Sequence, residues 1–204
     1  MERLLGKNFT SSNQKVGGIM VDSEYIVFVI DSSPSMTQGR VWPGVIQKVG
    51  ETISVYPVVK GIQVINADGR YLFPRYARTW MSDSPAIRKS IMNKLRVWTS
   101  PISNPIAGIE EAVVAFYAPD KKISVYVFGD DFYAGGSVER FVDTIDQINA
   151  TDDTGMRRVR IHAVGFAHAF GFRRRIPSFI QYGHAMREIA YRNNGTFVGL
   201  PHIQ

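Results

Sequence analysis

The stretch Tyr25-Ile-Val-Phe-Val-Ile30, followed directly by Asp31-Ser-Ser-Pro-Ser-Met36, decides the fold of this 204-residue chain. Its first half is a continuous run of β-branched and aromatic residues, which is typical of a strand buried on both faces of a parallel sheet. Its second half places one carboxylate and three hydroxyl groups directly after that strand. Because ligands of open parallel sheets bind at the carboxyl ends of the strands, this loop is the first candidate for a functional site.

Strands and helices alternate along the chain on the carboxyl side of this stretch. Further strands are predicted at Gly61 to Ile65, Tyr71 to Phe73, Ile123 to Phe128, Val159 to Val164 and Thr196 to Val198. Apolar residues at helical spacing predict helices between them, in stripes that begin at Val45, Ile87, Ile106, Phe141 and Phe179. Such alternation indicates an α/β domain with a mostly parallel sheet and helices on both of its faces.

The sequence predicts one domain with an N-terminal extension. Residues 1–24 are polar and rich in Gly, Ser and Asn, and we predict a lead-in or an edge hairpin there. Residues 25–204 contain no repeat, low-complexity tract or linker, so they are assigned to one domain.

Composition excludes several classes of site. The chain has no cysteine, which excludes a disulfide scaffold, a thiolate zinc site, an iron–sulfur cluster and cysteine catalysis. No apolar run approaches the ~20 residues of a membrane-spanning helix, and the first residues do not form a signal peptide. We therefore expect a cytoplasmic protein or a piece of a longer protein, of the kind found in a bacterial cell envelope or periplasm.

The loop after the first strand is better suited to metal binding than to phosphate chemistry. A haloacid-dehalogenase-like phosphatase needs a second aspartate two residues after the first, where this chain has Ser33. A phosphate-cradling loop needs several glycines and a lysine, and this loop has neither. The remaining carboxylate and hydroxyl oxygens suit Mg²⁺, Mn²⁺ or Ca²⁺.

Five segments in order resemble the von Willebrand factor A-type domain. Asp31-Ser-Ser33-Pro-Ser35 looks like the Asp-x-Ser-x-Ser signature of its metal-ion-dependent adhesion site. The other four segments are Ser103 to Ala112, Ile123 to Asp130, Arg160 to Gly165 and Met186 to Val198. The resemblance implies a three-layer, doubly wound, Rossmann-like α/β fold. It also implies one antiparallel edge strand in the sheet, here Tyr71 to Phe73.

The same resemblance implies a set of metal ligands. Ser33 and Ser35 would bind the cation directly, and Asp31 and Asp130 directly or through water. Asn104 stands where the family has a threonine, with Ser103 and Thr99 as the other candidates. The chain departs from the family pattern at Pro34, which replaces a glycine between the two serines, and at Asp131, which replaces a glycine after the third-loop aspartate.

A site of this kind implies binding rather than catalysis. Neutral hydroxyl ligands compensate the charge of a cation poorly, so an open position favours an outside carboxylate. We expect a divalent-cation-dependent adhesion or assembly domain that captures an acidic side chain of a partner protein. The candidate partner contacts are Phe132, Tyr133, Arg173, Arg174 and Arg175. The alternatives are a metal-free scaffold domain and a metal-assisted phosphoryl-handling enzyme that uses Asp31.

The net charge of +6 is unevenly distributed. Residues 155–204 hold eight basic residues and one acidic residue, whereas the first 154 residues are close to neutral. This distribution favours a local contact with an anionic partner over general nucleic-acid binding.

Overall fold

The computed structural model describes residues 14–16, 19–37, 41–131, 137–166 and 176–200. A central sheet of five parallel strands runs through these residues, in the order β4-β3-β5-β6-β7. The strands are β3 (Tyr25–Ile30), β4 (Gly61–Asn66), β5 (Ile123–Gly129), β6 (Arg160–Phe166) and β7 (Phe197–Leu200). Two N-terminal strands, β1 (Gln14–Val16) and β2 (Ile19–Val21), pair antiparallel in a separate small sheet. The predicted α/β fold class is confirmed.

Helices connect the strands of the central sheet. They are α1 (Pro34–Thr37), α2 (Val41–Val55), α3 (Pro85–Leu95), α4 (Pro105–Phe116), α5 (Val138–Ile148) and α6 (Ile176–Arg192). A short 3₁₀ helix covers Pro74–Tyr76. In the described part of the chain, no helix combines the length and the apolar character that crossing a bilayer requires.

The antiparallel edge strand predicted at Tyr71 to Phe73 is wrong. Tyr71 forms a single antiparallel bridge with Ile65, and the N–H of Leu72 donates to the carbonyl of Val64 at 2.9 Å. Pairing stops there because Pro74 has no N–H to donate and begins the 3₁₀ helix. The central sheet is therefore all parallel within the described residues.

Side chains of β3 alternate between two apolar layers. Phe28 faces the core formed with α2 and α3, whereas Val27 and Val29 face the core formed with α4, α5 and α6. All of these side chains are buried, which explains why β3 has an unbroken apolar sequence. The helix layers on both faces thus hold the central strand, and with it the loop at its carboxyl end.

Helix α4 lies unusually close to the sheet at Gly108. A Cβ atom there would lie 2.6 Å from Val29 Cγ1 and 2.8 Å from the Asn66 carbonyl oxygen. The N–H of Gly108 also donates to the carbonyl of Ala67 at 3.0 Å. A side chain at this position would push the start of α4 away from β3 and β4.

We therefore predict that Gly108→Ala lowers the free energy of unfolding by about 1–3 kcal/mol through overpacking. Gly50→Ala is the control, because a Cβ atom in the middle of α2 would meet only the flexible end of Met92, at 3.1 Å. That variant should be unchanged, or more stable by up to about 1 kcal/mol, since alanine is favoured in helices. Urea denaturation measures both, and equal effects would contradict the close approach at Gly108.

Candidate functional site

The carboxyl ends of β3 and β5 bring the two predicted aspartates to the same edge of the sheet. The two strands are adjacent, and Ile30 is paired with Phe128. The N–H of Asp31 donates to the carbonyl of Phe128 at 2.8 Å, which extends the pairing one residue beyond β3. Asp31 and Asp130 therefore follow neighbouring strand ends.

Hydrogen bonds join five residues at this edge into one group, which we call the carboxylate–serine cluster: Asp31, Ser33, Ser35, Ser103 and Asp130. Asp31 Oδ1 accepts from the N–H of Ser33 at 2.8 Å, and Asp31 Oδ2 accepts from the Ser103 hydroxyl at 2.6 Å. The hydroxyls of Ser33 and Ser35 are hydrogen-bonded at 2.9 Å. The Ser35 hydroxyl donates to Asp130 Oδ1 at 3.2 Å. Four of the five predicted ligands thus lie together.

Pro34 is compatible with this arrangement. It occupies the first position of α1, where a missing N–H costs nothing and the fixed φ suits a helical turn. The N–H groups of Met36 and Thr37 donate to the carbonyl of Ser33 at 3.0 and 2.9 Å. The resulting turn carries Ser35 back toward Asp130.

Ser103, not Asn104, reaches the cluster from the loop before α4. The Ser103 hydroxyl contacts Asp31 and also lies 3.3 Å from the carbonyl oxygen of Asp131. Asn104 is the N-cap residue of α4. Its side chain is exposed and makes no capping hydrogen bond. The sequence offers three candidate ligands in this loop, Thr99, Ser103 and Asn104. Neighbouring residues of a loop point their side chains in different directions, so only the folded structure distinguishes these candidates.

Burial and like charge raise the pKa values of both aspartates. Asp31 is 2% exposed, and burial raises its pKa, opposed by the hydrogen bonds from Ser103 and Ser33. Asp130 is 1% exposed, and burial together with the charges of Asp31 and Asp131 raises its pKa to about 7. Asp31 forms no ion pair within the described residues. The cluster therefore favours a proton or a cation between its oxygens.

The donor set fits a hard divalent cation. Every side-chain atom of the cluster that could bind a metal ion is a carboxylate or hydroxyl oxygen. Mg²⁺, Mn²⁺ and Ca²⁺ prefer such oxygen ligands. No group of three or more His, Cys, Asp or Glu side chains comes together in the described residues. The serine hydroxyls would therefore have to supply a substantial share of the ligands.

The five predicted partner contacts lie outside the described residues. They are Phe132, Tyr133, Arg173, Arg174 and Arg175. The hypothesis that they contact a partner stays a prediction.

Solved structures are similar to this chain in fold although their sequences differ. A von Willebrand factor type A protein from Catenulispora acidiphila matches with a TM-score of 0.63 and 13% identity, over 90% of this chain and 40% of that one. The conserved hypothetical protein BatB from Bacteroides thetaiotaomicron matches with a TM-score of 0.55 and 15% identity, over 88% and 91%. An aerotolerance-related membrane protein from Bacteroides fragilis matches with a TM-score of 0.53 and 16% identity, over 87% and 92%.

These similarities show that the chain has the von Willebrand factor A fold. The chain spans less than half of the Catenulispora protein and about nine-tenths of the two Bacteroides chains. No protein-family model matches the sequence, and no curated protein matches it either.

The raised pKa values predict a pH dependence of stability in chelator-treated protein. An unfolded aspartate loses its proton near pH 4, whereas folded Asp130 keeps it to about pH 7. The folded state binds more protons in that window, so the contribution of Asp130 to stability is lost as the pH rises through it. Asp130→Asn removes this loss of stability. The free energy of unfolding of the variant, relative to that of the wild type, should therefore increase by up to about 1.4 kcal/mol per pH unit between about pH 4 and 7.

Urea denaturation of both proteins across this range tests the prediction. His162 acts in the opposite direction, because burial lowers its pKa to about 3 and the unfolded chain then binds the extra proton. That contribution is common to both proteins and cancels in their difference, which reports the titration of Asp130 together with its coupling to Asp31. Parallel stability curves would contradict the prediction.

Proposed function

We propose that this chain, which has the von Willebrand factor A fold, is a divalent-cation-dependent protein-binding domain. The observation that carries the proposal is the carboxylate–serine cluster, in which two buried aspartates and three serines from three loops lie in one hydrogen-bonded group. A fold alone does not assign a function, so the proposal depends on this arrangement at the carboxyl end of the sheet.

Asp31, Ser33, Ser35, Ser103 and Asp130 would hold the cation, with Mg²⁺ as the first candidate and Mn²⁺ or Ca²⁺ as alternatives. The Ser103 hydroxyl lies within hydrogen-bonding distance of the Asp31 carboxylate, and the Ser35 hydroxyl within that distance of Asp130 and Ser33. The bound cation would supply an open coordination position for an acidic side chain of the partner protein. The serines contribute no charge, so the partner's carboxylate would complete the neutralisation.

Electrostatics supports a cation at this place. Burial raises the pKa of both carboxyl groups, and the charge of Asp31 raises that of Asp130 further, so the charged apo form is unfavourable at neutral pH. A divalent cation relieves both the burial of charge and the repulsion. We therefore expect the metal-bound form to be more stable than the apo form.

Binding is favoured over catalysis by the surroundings of Asp31. The side chain of Asp31 accepts hydrogen bonds from Ser33 and Ser103, and in the described part of the chain no lysine, arginine or histidine forms a hydrogen bond or an ion pair with it. A metal-assisted phosphoryl-handling enzyme would need, besides the cation, a basic side chain close to Asp31 to stabilise the transferred phosphoryl group. We propose that the domain is not an enzyme.

Magnesium is predicted to stabilise the wild-type protein. At a concentration ten times the dissociation constant, the free energy of unfolding should rise by about 1.4 kcal/mol. Asp31→Asn keeps the size of the side chain and removes its charge, so it should abolish the increase. Isothermal calorimetry and thermal melts of chelator-treated protein measure the effect. An absence of metal binding at millimolar concentrations would favour the metal-free scaffold, and phosphatase turnover that Asp31→Asn abolishes would favour the enzyme.

A pair of neighbouring variants separates the two second-loop candidates. Ser103→Ala removes the hydroxyl that lies 2.6 Å from Asp31 Oδ2 and should weaken magnesium binding about tenfold, the loss of one charge-assisted contact. Asn104→Ala should leave magnesium affinity within about twofold of the wild type, because its side chain is exposed and forms no hydrogen bond to the cluster in the described residues. The reverse order of effects would assign the ligand to Asn104.

A further inference from the structure

The phenol group of Tyr182, from helix α6, reaches the carboxylate–serine cluster from inside the fold. Its side chain is buried and belongs to the apolar layer formed with α4, α5 and α6. The hydroxyl oxygen of Tyr182 lies 2.7 Å, and Asp31 Cβ 3.4 Å, from the point that a Cβ atom on Gly129 would occupy. Asp130 follows Gly129 directly in the chain. The phenol therefore lies next to the strand ends that carry both aspartates.

Two glycines on neighbouring strands make room for the ring of Tyr182. Gly129 of β5 is paired with Gly165 of β6. A Cβ atom on Gly129 would lie 2.7 Å from the Tyr182 hydroxyl oxygen and 3.1 Å from its Cζ, and one on Gly165 would lie 3.8 Å from its Cε1. Neither glycine has a positive φ, so the backbone conformation does not require them. Gly129 is needed because Tyr182 occupies the space of a side chain there.

Tyr182 is a neutral hydrogen-bonding group among carboxylates. Burial raises the pKa of Tyr182 well above its usual value, and the charges of Asp31, Asp130 and Asp131 raise it further. The phenol therefore keeps its proton at neutral pH. A phenol can donate toward a carboxylate without adding a charge. A lysine or arginine in the same place would pair with the aspartates and compete with a cation.

We infer that Tyr182 is a positioning residue of the proposed metal site. Its ring packs α6 against the ends of β5 and β6, and its hydroxyl would hold Asp31 and the end of β5 in the arrangement that a cation requires. The inference rests on the proposed function and extends it to a helix that carries none of the proposed ligands. Groups that orient metal ligands from behind commonly contribute about ten- to a hundredfold to metal affinity.

Tyr182→Phe tests the hydroxyl alone, because the ring is retained. The affinity of chelator-treated protein for magnesium, measured by isothermal calorimetry, should fall about tenfold. The melting temperature in chelator should stay within about 4 °C of the wild-type value, since the apolar packing is kept. A merely structural role would lower the melting temperature equally with and without magnesium and leave the dissociation constant unchanged, which would overturn the inference.

Tyr56→Phe is the matched control. Tyr56 is also buried, but it belongs to the apolar layer on the other face of the sheet. Its hydroxyl is hydrogen-bonded to that of Tyr126 at 2.5 Å. Loss of this hydroxyl should leave magnesium affinity within about twofold of the wild type, because the two sites share no partner. An equal loss of affinity in both variants would assign the effect to the core and overturn the inference.

A double-mutant cycle tests the contact between Tyr182 and Gly129. Gly129→Ala should lower the melting temperature and weaken magnesium binding, because the new methyl group meets the phenol. The same substitution should cost less in the Tyr182→Phe background, where the nearest oxygen is gone. Additive effects on the melting temperature would show that the two residues are not coupled and would overturn the inference.

The outcomes separate this inference from the proposed function. Magnesium binding by the wild type that is equally strong in Tyr182→Phe would overturn the role of Tyr182 and leave the proposed function intact. An absence of magnesium binding by the wild-type protein would overturn the proposed function, and the role of Tyr182 with it.

Discussion

The parallel pairing of β3 with β5 is the interaction on which the rest of the structure depends. It lies at the centre of the sheet, is buried on both faces, and ends in the hydrogen bond from Asp31 to the carbonyl of Phe128. This pairing brings two carboxylates to one edge of the sheet, where neither can be solvated freely. The apolar packing of the strands thus stabilises an arrangement that is electrostatically unfavourable in itself, a combination typical of a binding site.

The serines reduce this cost without removing it. Hydrogen bonds from Ser33 and Ser103 lower the proton affinity of Asp31, but the effect of its burial is larger. The hydrogen bond from Ser35 lowers the proton affinity of Asp130, while burial and two neighbouring aspartates act in the opposite direction. Hydroxyl groups donate to a carboxylate when no metal is present and can offer a lone pair to a cation, so the same residues would also suit the proposed metal-bound state.

The sequence predicts most of the sheet, because buried strands carry an unbroken apolar signal that does not depend on their neighbours. The bounds predicted for β3 are those observed, and β5 ends one residue later than predicted. Tyr71 to Phe73 has the composition of a strand, but Pro74 ends its pairing after one bridge, a local effect that residue composition does not weigh. The choice of Ser103 over Asn104 depends on how the loop is fixed to β3 through Ser100, a contact between residues distant in sequence. The protonation of the aspartates likewise depends on burial that only the assembled fold creates.

A site with two carboxylates and three hydroxyls also constrains how the proposed binding would work. Only two carboxylates of the site would neutralise the charge of the cation. The protein alone would therefore bind the metal more weakly than a site rich in carboxylates would. A carboxylate from a partner would add both a ligand and a charge, and each ligand would then raise the affinity for the other by the same factor.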